Sequence, residues 1–356
     1  MTLGRGQRIG ALLVLALAST VSLVGCSSLG YYAQSVGGHL ELMRRARPVT
    51  DWLADEATPA ALRERLKLSQ QMRDFAVREL HLPDNRSYRS YADLGRNAVV
   101  WNVVAAPELS LTLKTWCYPM MGCVGYRGYF DRAAADALAE TLKAEGLDVN
   151  VYGVSAYSTL GWTNWLGGDP LLNTFIRWPE GELARLIFHE LAHQVAYAAD
   201  DTSFNESFAT AVERLGGARW RESHGLGDAD DAAYEQRRRD FRALGLRTRA
   251  SLEALYRSAM SGADKRTRKT EILAAMRAEL MRLKVEAWAG YSGYDSWAQR
   301  ANNASLGVQA AYDELVPDFE RLFNAQGRDF TRFYAEVQRL AALPKAERRA
   351  TLQQRR

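Results

Sequence analysis

Cysteine is nearly absent: there are three in a chain of 356 residues. Only Cys117 and Cys123 lie close together, in "TWCYPMMGCVGYRGYF". Their C-x5-C spacing is wrong for a cysteine zinc site, and no second pair stands near to complete one. An excess of either charge is also missing. Lys and Arg number 46 against 42 Asp and Glu, for a formal net charge of +4. No basic cluster runs far enough to line a nucleic-acid groove, so no nucleic-acid partner is expected. Internal repeats and low-complexity linkers are absent as well. What remains has the length of one large domain or two small ones. Its apolar share of 47% is ordinary, and its nine Trp and sixteen Tyr point to an aromatic-rich body.

The first residues are a different material. Arg5 and Arg8 precede "IGALLVLALASTVSLVG", an apolar stretch at the border of membrane-spanning length. A plain anchor helix is one reading. The stretch ends, however, in Leu23-Val24-Gly25-Cys26, which resembles the bacterial lipobox. That resemblance implies a signal peptide over residues 1–25, cleavage before Cys26 and diacylation of its sulfur. Cleavage removes two arginines and no acid, so lipid rather than charge would tie the protein to a membrane. Ser27, not Asp, follows the cysteine, which by lipoprotein sorting rules points to the outer membrane, facing the periplasm. In that oxidising compartment Cys117 and Cys123 are expected to form a disulfide.

Residues 26–48 read as a lead-in with some helical period, and residues 49–356 as one domain. Asp51 to about Leu80 repeats its apolar residues near a 3.6 period and predicts a helix. A strand-bearing part covers about 97–175, where "AVVWNVVAA", "LSLTLKTW" and "LDVNVYGV" are rich in β-branched residues. Between them "DRAAADALAETLKAEG" predicts a helix with Asp131 near its start and Gly146 at its end. A helical part covers about 180–356, with turns expected near Gly216, Gly245 and Gly262. Strands first and helices later predict an α+β fold, mostly helical. Residues 156–175 are neither clean strand nor clean helix. Gly161, Gly167 and Gly168 there would let another backbone approach closely.

The chemistry concentrates in "IFHELAHQVAYAADDTSFNESFATAVE", residues 187–213. Four residues on a helix turn a side chain by about 40°, so His189 and His193 share one face, one turn apart. Both imidazoles can reach a single ion, and Glu190 borders that face without needing to be a ligand. A catalytic site needs a third protein ligand and an open position. Ala196 and Ala199 hold the positions one zincin branch would use, and alanine ligates nothing. Glu206 and Glu213 lie seven residues apart on nearly one face of the next helix. Glu206 is the preferred third ligand. Glu213 remains the competitor, or else orients a ligand histidine through its other ring nitrogen, with Asn205 in support. Ser203 to Glu206 also reads as an S-x-x-E capping box. The helix "LIFHELAHQVAYA" is apolar nearly all round and should be buried, where unpaired ionisable groups are costly.

"HELAHQ…NESFATAVE" resembles the gluzincin metallopeptidases, and is most similar to zinc aminopeptidases. With the lipobox, "SAYSTLGW", "DPLLNT" and "NNASLG", nearly all of the mature chain resembles a bacterial lipoprotein family of zinc aminopeptidases. The resemblance implies a zincin-like fold: a small N-terminal β-sheet, an active-site helix and a C-terminal helical region. It implies one Zn2+ per chain on His189, His193 and Glu206, with Glu190 as general base, and a peptide as substrate. The G-x-M-E-N string by which better-known zinc aminopeptidases hold a substrate amine is missing here, and the spacing from His193 to Glu206 is shorter than theirs.

A developing oxyanion needs a second electrophile beside the metal. His224, Tyr291, Tyr294 and Tyr312 are the candidates, each with a competing reading as a packing residue. Asn302 and Asn303 either hold peptide carbonyls or cap the helix that follows. The segment holding Gly161 would be an edge along which an extended peptide lies. The alternative class is a non-catalytic envelope lipoprotein that binds peptide or a partner. Glu190 argues against it, because a structural metal site needs no general base.

Overall fold

The computed structural model describes residues 30–118, 122–156, 167–225 and 229–354. Cys26 and Gly161 lie outside the described residues. The fold is α+β and mostly helical. Thirteen helices run through the described residues: α1 (residues 30–45), α2 (Val49–Ala54), α3 (Ala60–Arg78), α4 (Arg132–Ala144), α5 (Glu180–Ala192), α6 (Thr202–His224), α7 (Ala229–Arg257), α8 (Gly262–Glu286), α9 (Asp295–Arg300), α10 (Asn303–Asp313), α11 (Val316–Ala325), α12 (Phe330–Ala341) and α13 (Lys345–Gln354).

Three small sheets stand beside them. β1 (Arg47–Pro48), β2 (Ser90–Ala92) and β8 (Leu171–Leu172) form one sheet. β6 (Arg127–Tyr129), β3 (Val100–Pro107) and β7 (Leu147–Val154) form the second, in that order. β4 (Trp116–Tyr118) and β5 (Gly122–Val124) form a two-stranded ribbon, with Cys117 opposite Cys123 and the two sulfurs bonded. The longest pairing, β3 with β7, is antiparallel from Val100 opposite Val154 to Pro107 opposite Leu147.

Local chemistry explains much of this. The Asp131 carboxylate accepts from the Ala133 and Ala134 amides and starts α4. Pro59 ends the expected run over 51–80 and divides it into α2 and α3, since a prolyl residue can open a helix but not continue one. "LSLTLKTW" departs from expectation: only Trp116 onward is strand. Leu111 is buried, and Leu113 packs against Gly307 of α10, so burial explains the apolar alternation. Gly216 and Gly245 also depart, for each lies inside an unbroken helix. A β-carbon at Gly216 would come within 2.7 Å of Leu80 and 3.0 Å of Phe188, so this glycine lets α6 press onto α5. α6 ends at Gly225, whose φ of +62° suits glycine. Gly168 does serve a close approach, but to residues 86 and 87 of its own chain.

The core sits around α5. Leu183, Ala184, Ile187, Phe188, Leu191 and Ala192 all have zero exposure. Each large side chain among them contributes about 1.5–3 kcal/mol on burial. This helix is central, so its polar side chains meet protein rather than bulk water. A second core, around Leu252, Met276, Leu280 and Trp288, joins α7, α8 and α9.

Candidate metal centre

Glu180 and Glu182 lie in the first turn of α5, where the positive end of the helix favours acids. His189 lies in the last turn, and His193 is the residue that ends the helix, still in right-handed helical conformation. The loop that follows is held by Asn205, whose side chain donates to Ala198 O at 2.9 Å and accepts from Ala198 N at 2.8 Å. Asn205 therefore fixes the turn between α5 and α6 and touches neither histidine ring. Asp201, rather than Ser203, caps α6 by accepting from the Phe204 amide. The cap lies two positions earlier than the S-x-x-E reading placed it. This leaves the Glu206 carboxylate free to face α5.

The two helices then bring the ligands together. His189 Nε2 is 3.5 Å and His193 Nε2 is 3.6 Å from the same Glu206 oxygen, Oε2. One ligand atom from each of the three residues lies within 4.8 Å of the others. Both histidines are buried, at 8% and 7% exposure. The distances are long for direct hydrogen bonds. They are close to the edge of a tetrahedron of nitrogen and oxygen ligands about 2.0–2.1 Å from a zinc ion, about 3.3–3.4 Å. The donor set of two imidazoles and one carboxylate is that of an open catalytic zinc site.

On the other side of the ring, His189 Nδ1 faces Glu213 Oε2 at 3.2 Å, and Glu213 Oε1 accepts from Arg238 of α7 at 2.9 Å. This chain orients His189 with Nε2 toward Glu206. His193 Nδ1 is buried and has no hydrogen-bond partner among the described residues, so His189 is the better anchored ring of the pair there.

Electrostatics agree with a cation site. Burial alone would raise the Glu206 carboxyl, but His193 and His189 outweigh it and hold it down to about 2. Glu213 is likewise lifted by burial yet held down to about 2, by His189 and Arg238. Burial would depress His189, but Glu206 and Glu213 overcome it and push that imidazole up to about 10. The pocket favours positive charge at this point, supplied by a proton or by a metal ion. Glu190 is raised, chiefly by burial.

Four tyrosines that the sequence did not mark stand near these acids. Tyr126, in the turn between β5 and β6, is half-buried, and its phenol is raised well above the usual range by desolvation and then by Glu206. Tyr152 and Tyr197 are each pushed up to about 12 by burial, with Glu206 adding to it. Tyr88 is raised by burial and then by Glu190. All four therefore remain protonated donors at neutral pH. Tyr126 and Tyr152 also line an open cleft of about 630 Å³, with Asp200, Arg249, Arg257 and Lys345 among its other walls. No local pattern announces them, since their role comes from the β5–β6 turn and from β7.

The other expected contacts have surroundings of their own. His224 is eighteen residues beyond Glu206 on α6, about 27 Å along the axis. It stacks on Trp220 at 3.6 Å between ring centroids. Tyr294 stacks on Phe241 at 4.0 Å, and Tyr291 is 39% exposed beneath Arg237. Tyr312 lies on α10, with its side chain outside the described residues. Asn302 donates to Val149 O at 2.9 Å and accepts from the Ser305 amide at 3.1 Å. Asn303 donates to Pro107 O and Glu108 O and accepts from Tyr256. Asn302 caps α10 and ties it to β7, and Asn303 ties the same helix to the end of β3, which engages both amides within the fold.

No curated protein and no solved structure shows a match to this chain. A family match does cover residues 30–352, which include α5, α6 and every ligand described above. On that coverage the chain belongs to the family described as "Putative aminopeptidase".

Proposed function

We propose that this protein is a zinc metallopeptidase of gluzincin type and zincin-like fold, acting as an aminopeptidase. In the same reading a lipid on Cys26 ties it to the bacterial envelope, at the outer membrane facing the periplasm. One observation carries the peptidase reading: His189 and His193, one helical turn apart, both aim Nε2 at one oxygen of Glu206. Family membership supports peptide as the substrate class.

His189, His193 and Glu206 would hold the ion. When bound, it supplies Lewis acidity to an attacking water and to the scissile carbonyl. The chain's own groups then do the proton work. Glu190, half-buried beside the ligand face and raised chiefly by desolvation, accepts the proton of the water and returns it to the leaving amine nitrogen. Tyr126, a protonated phenol that lines the cleft and feels the charge of Glu206, would donate to the oxygen that gains charge as the carbonyl is attacked. Glu213 and Arg238 keep His189 turned to its task.

The test is hydrolysis of amino-acid amides that release a dye, with metal content measured in parallel. Activity should vanish with chelator and return with added zinc. Activity that persists at full rate in metal-free protein would rule the proposal out.

A further inference from the structure

The first described helix, α1, has two unlike faces. Its inner face is occupied. The Tyr31 ring lies 5.7 Å from that of Tyr118 and 5.5 Å from that of Tyr129, with the Arg127 guanidinium 4.1 Å over it. Gln34 accepts from the Phe130 amide at 3.1 Å, and Gly38 is pressed against the Phe130 ring. Leu42 is buried at 1% exposure.

The outer face is open and apolar. Tyr32, Val36 and Leu40 recur at four-residue spacing and are 43%, 59% and 48% exposed. Ala33 and Gly37 are exposed beside them. A β-carbon at Gly37 would meet nothing within 4 Å. From Ser27 to Leu40 the sequence has no Asp, Glu, Lys or Arg. A helix face turned to water normally carries such residues, and three large apolar side chains in a row mark a contact surface. Charge returns in the next turn and beyond with Glu41, Arg44, Arg45 and Arg47, all exposed.

Position identifies the occupant. Cys26 precedes Gly30 by four residues, which span at most about 14 Å. Resting on the reading of Cys26 as lipidated, we propose that the outer face of α1 lies on a phospholipid bilayer surface. Tyr32, Val36 and Leu40 enter the boundary between headgroups and acyl chains, and Arg44, Arg45 and Arg47 sit over anionic headgroups. Among the described residues no helix is long and apolar enough to cross a membrane, so α1 rests on the surface. The lipid then supplies attachment, and α1 supplies orientation.

The test uses the acylated chain on vesicles of phosphatidylethanolamine and phosphatidylglycerol, with a nitroxide at Val36→Cys and a control at Val285→Cys. Val285 is 74% exposed on α8. On vesicles, collisions of the Val36 label with an aqueous nickel chelate should fall several-fold, while those of the Val285 label should not change. Adding Leu40→Glu to the Val36→Cys chain should restore them, with the protein still floating with the vesicles. A Val36 label as open on vesicles as the Val285 label overturns the inference. A Val36 label already shielded without vesicles also overturns it, in favour of a protein occupant. Failure of the lipid reading shows separately, as an N-terminal peptide of unacylated mass and loss of flotation. The Cys26→Ser chain then decides the helix face alone: it should co-sediment with excess vesicles, and the Val36→Glu/Leu40→Glu variant should not. Equal sedimentation of the two again overturns the inference.

Discussion

His189 Nδ1 meets the Glu213 carboxylate at 3.2 Å, and this contact turns the other ring nitrogen toward Glu206. Removing the Glu213 carboxylate should free the ring while leaving the three direct ligands in place. Glu213→Ala is expected to weaken zinc binding about 10- to 100-fold. Competition with a coloured chelator measures this. Arg238→Gln should act in the same direction and less strongly, because Glu213 keeps its contact with His189.

Glu190 borders the ligand face and is not one of the three converging residues. Glu190→Gln should therefore keep its metal and lower kcat about 10²- to 10⁴-fold. Parallel metal analysis and dye release check both halves of the expectation. A variant that retained near-full kcat would remove Glu190 from the role of base.

Tyr126 offers a donor that forms its most useful bond only as charge develops on the substrate. Tyr126→Phe should lower kcat about 10²-fold and change KM little. Steady-state kinetics on one amide substrate separate the two constants. An equal rise in KM with kcat unchanged would make Tyr126 a wall of the cleft and nothing more.

Asp201, fully buried, joins the two ligand helices to the C-terminus. It accepts from Arg348 at 2.9 Å and from Arg349 at 2.6 Å while it caps α6. Burial would raise its carboxyl, but Arg349 and Arg348 outweigh burial and hold it below the usual range. A depressed carboxyl stabilises the fold above its unfolded pKa, about 3.9, and loses that contribution as pH falls toward the folded value. Asp201→Asn strands the buried Arg348 and should cost about 3–5 kcal/mol at neutral pH. The gap in Tm between wild type and variant should narrow below about pH 4. A gap that is constant with pH would contradict this account.

The helical heart of the site was legible in sequence because its physics is local. Four-residue spacing puts His189 and His193 on one face, and seven-residue spacing puts Glu206 and Glu213 on one face of the next helix. β7 and α4 were legible for similar reasons, through β-branched residues and the Asp131 cap. What escaped depends on residues distant in the chain. Gly216 reads as a breaker until Leu80 and Phe188 are seen against it. Asn302 and Asn303 read equally as substrate contacts or as helix caps until Val149, Pro107 and Glu108 are found to accept from them. His224 lies on the same helix as Glu206, yet helix length alone carries it away from the site. Tyr126 approaches Glu206 only through the turn between β5 and β6, and no spacing in one stretch of sequence could show it.

The central claim is that His189, His193 and Glu206 share one divalent ion. X-ray absorption at the zinc edge on purified protein tests it most directly, combined with metal counting on wild type, His193→Ala and Glu206→Gln. The account predicts one zinc per wild-type chain, with nitrogen and oxygen neighbours at about 2.0–2.1 Å. It predicts zinc lost on dialysis from both variants. Stoichiometric zinc retained by either variant with an unchanged spectrum, or sulfur in the zinc shell, would contradict it.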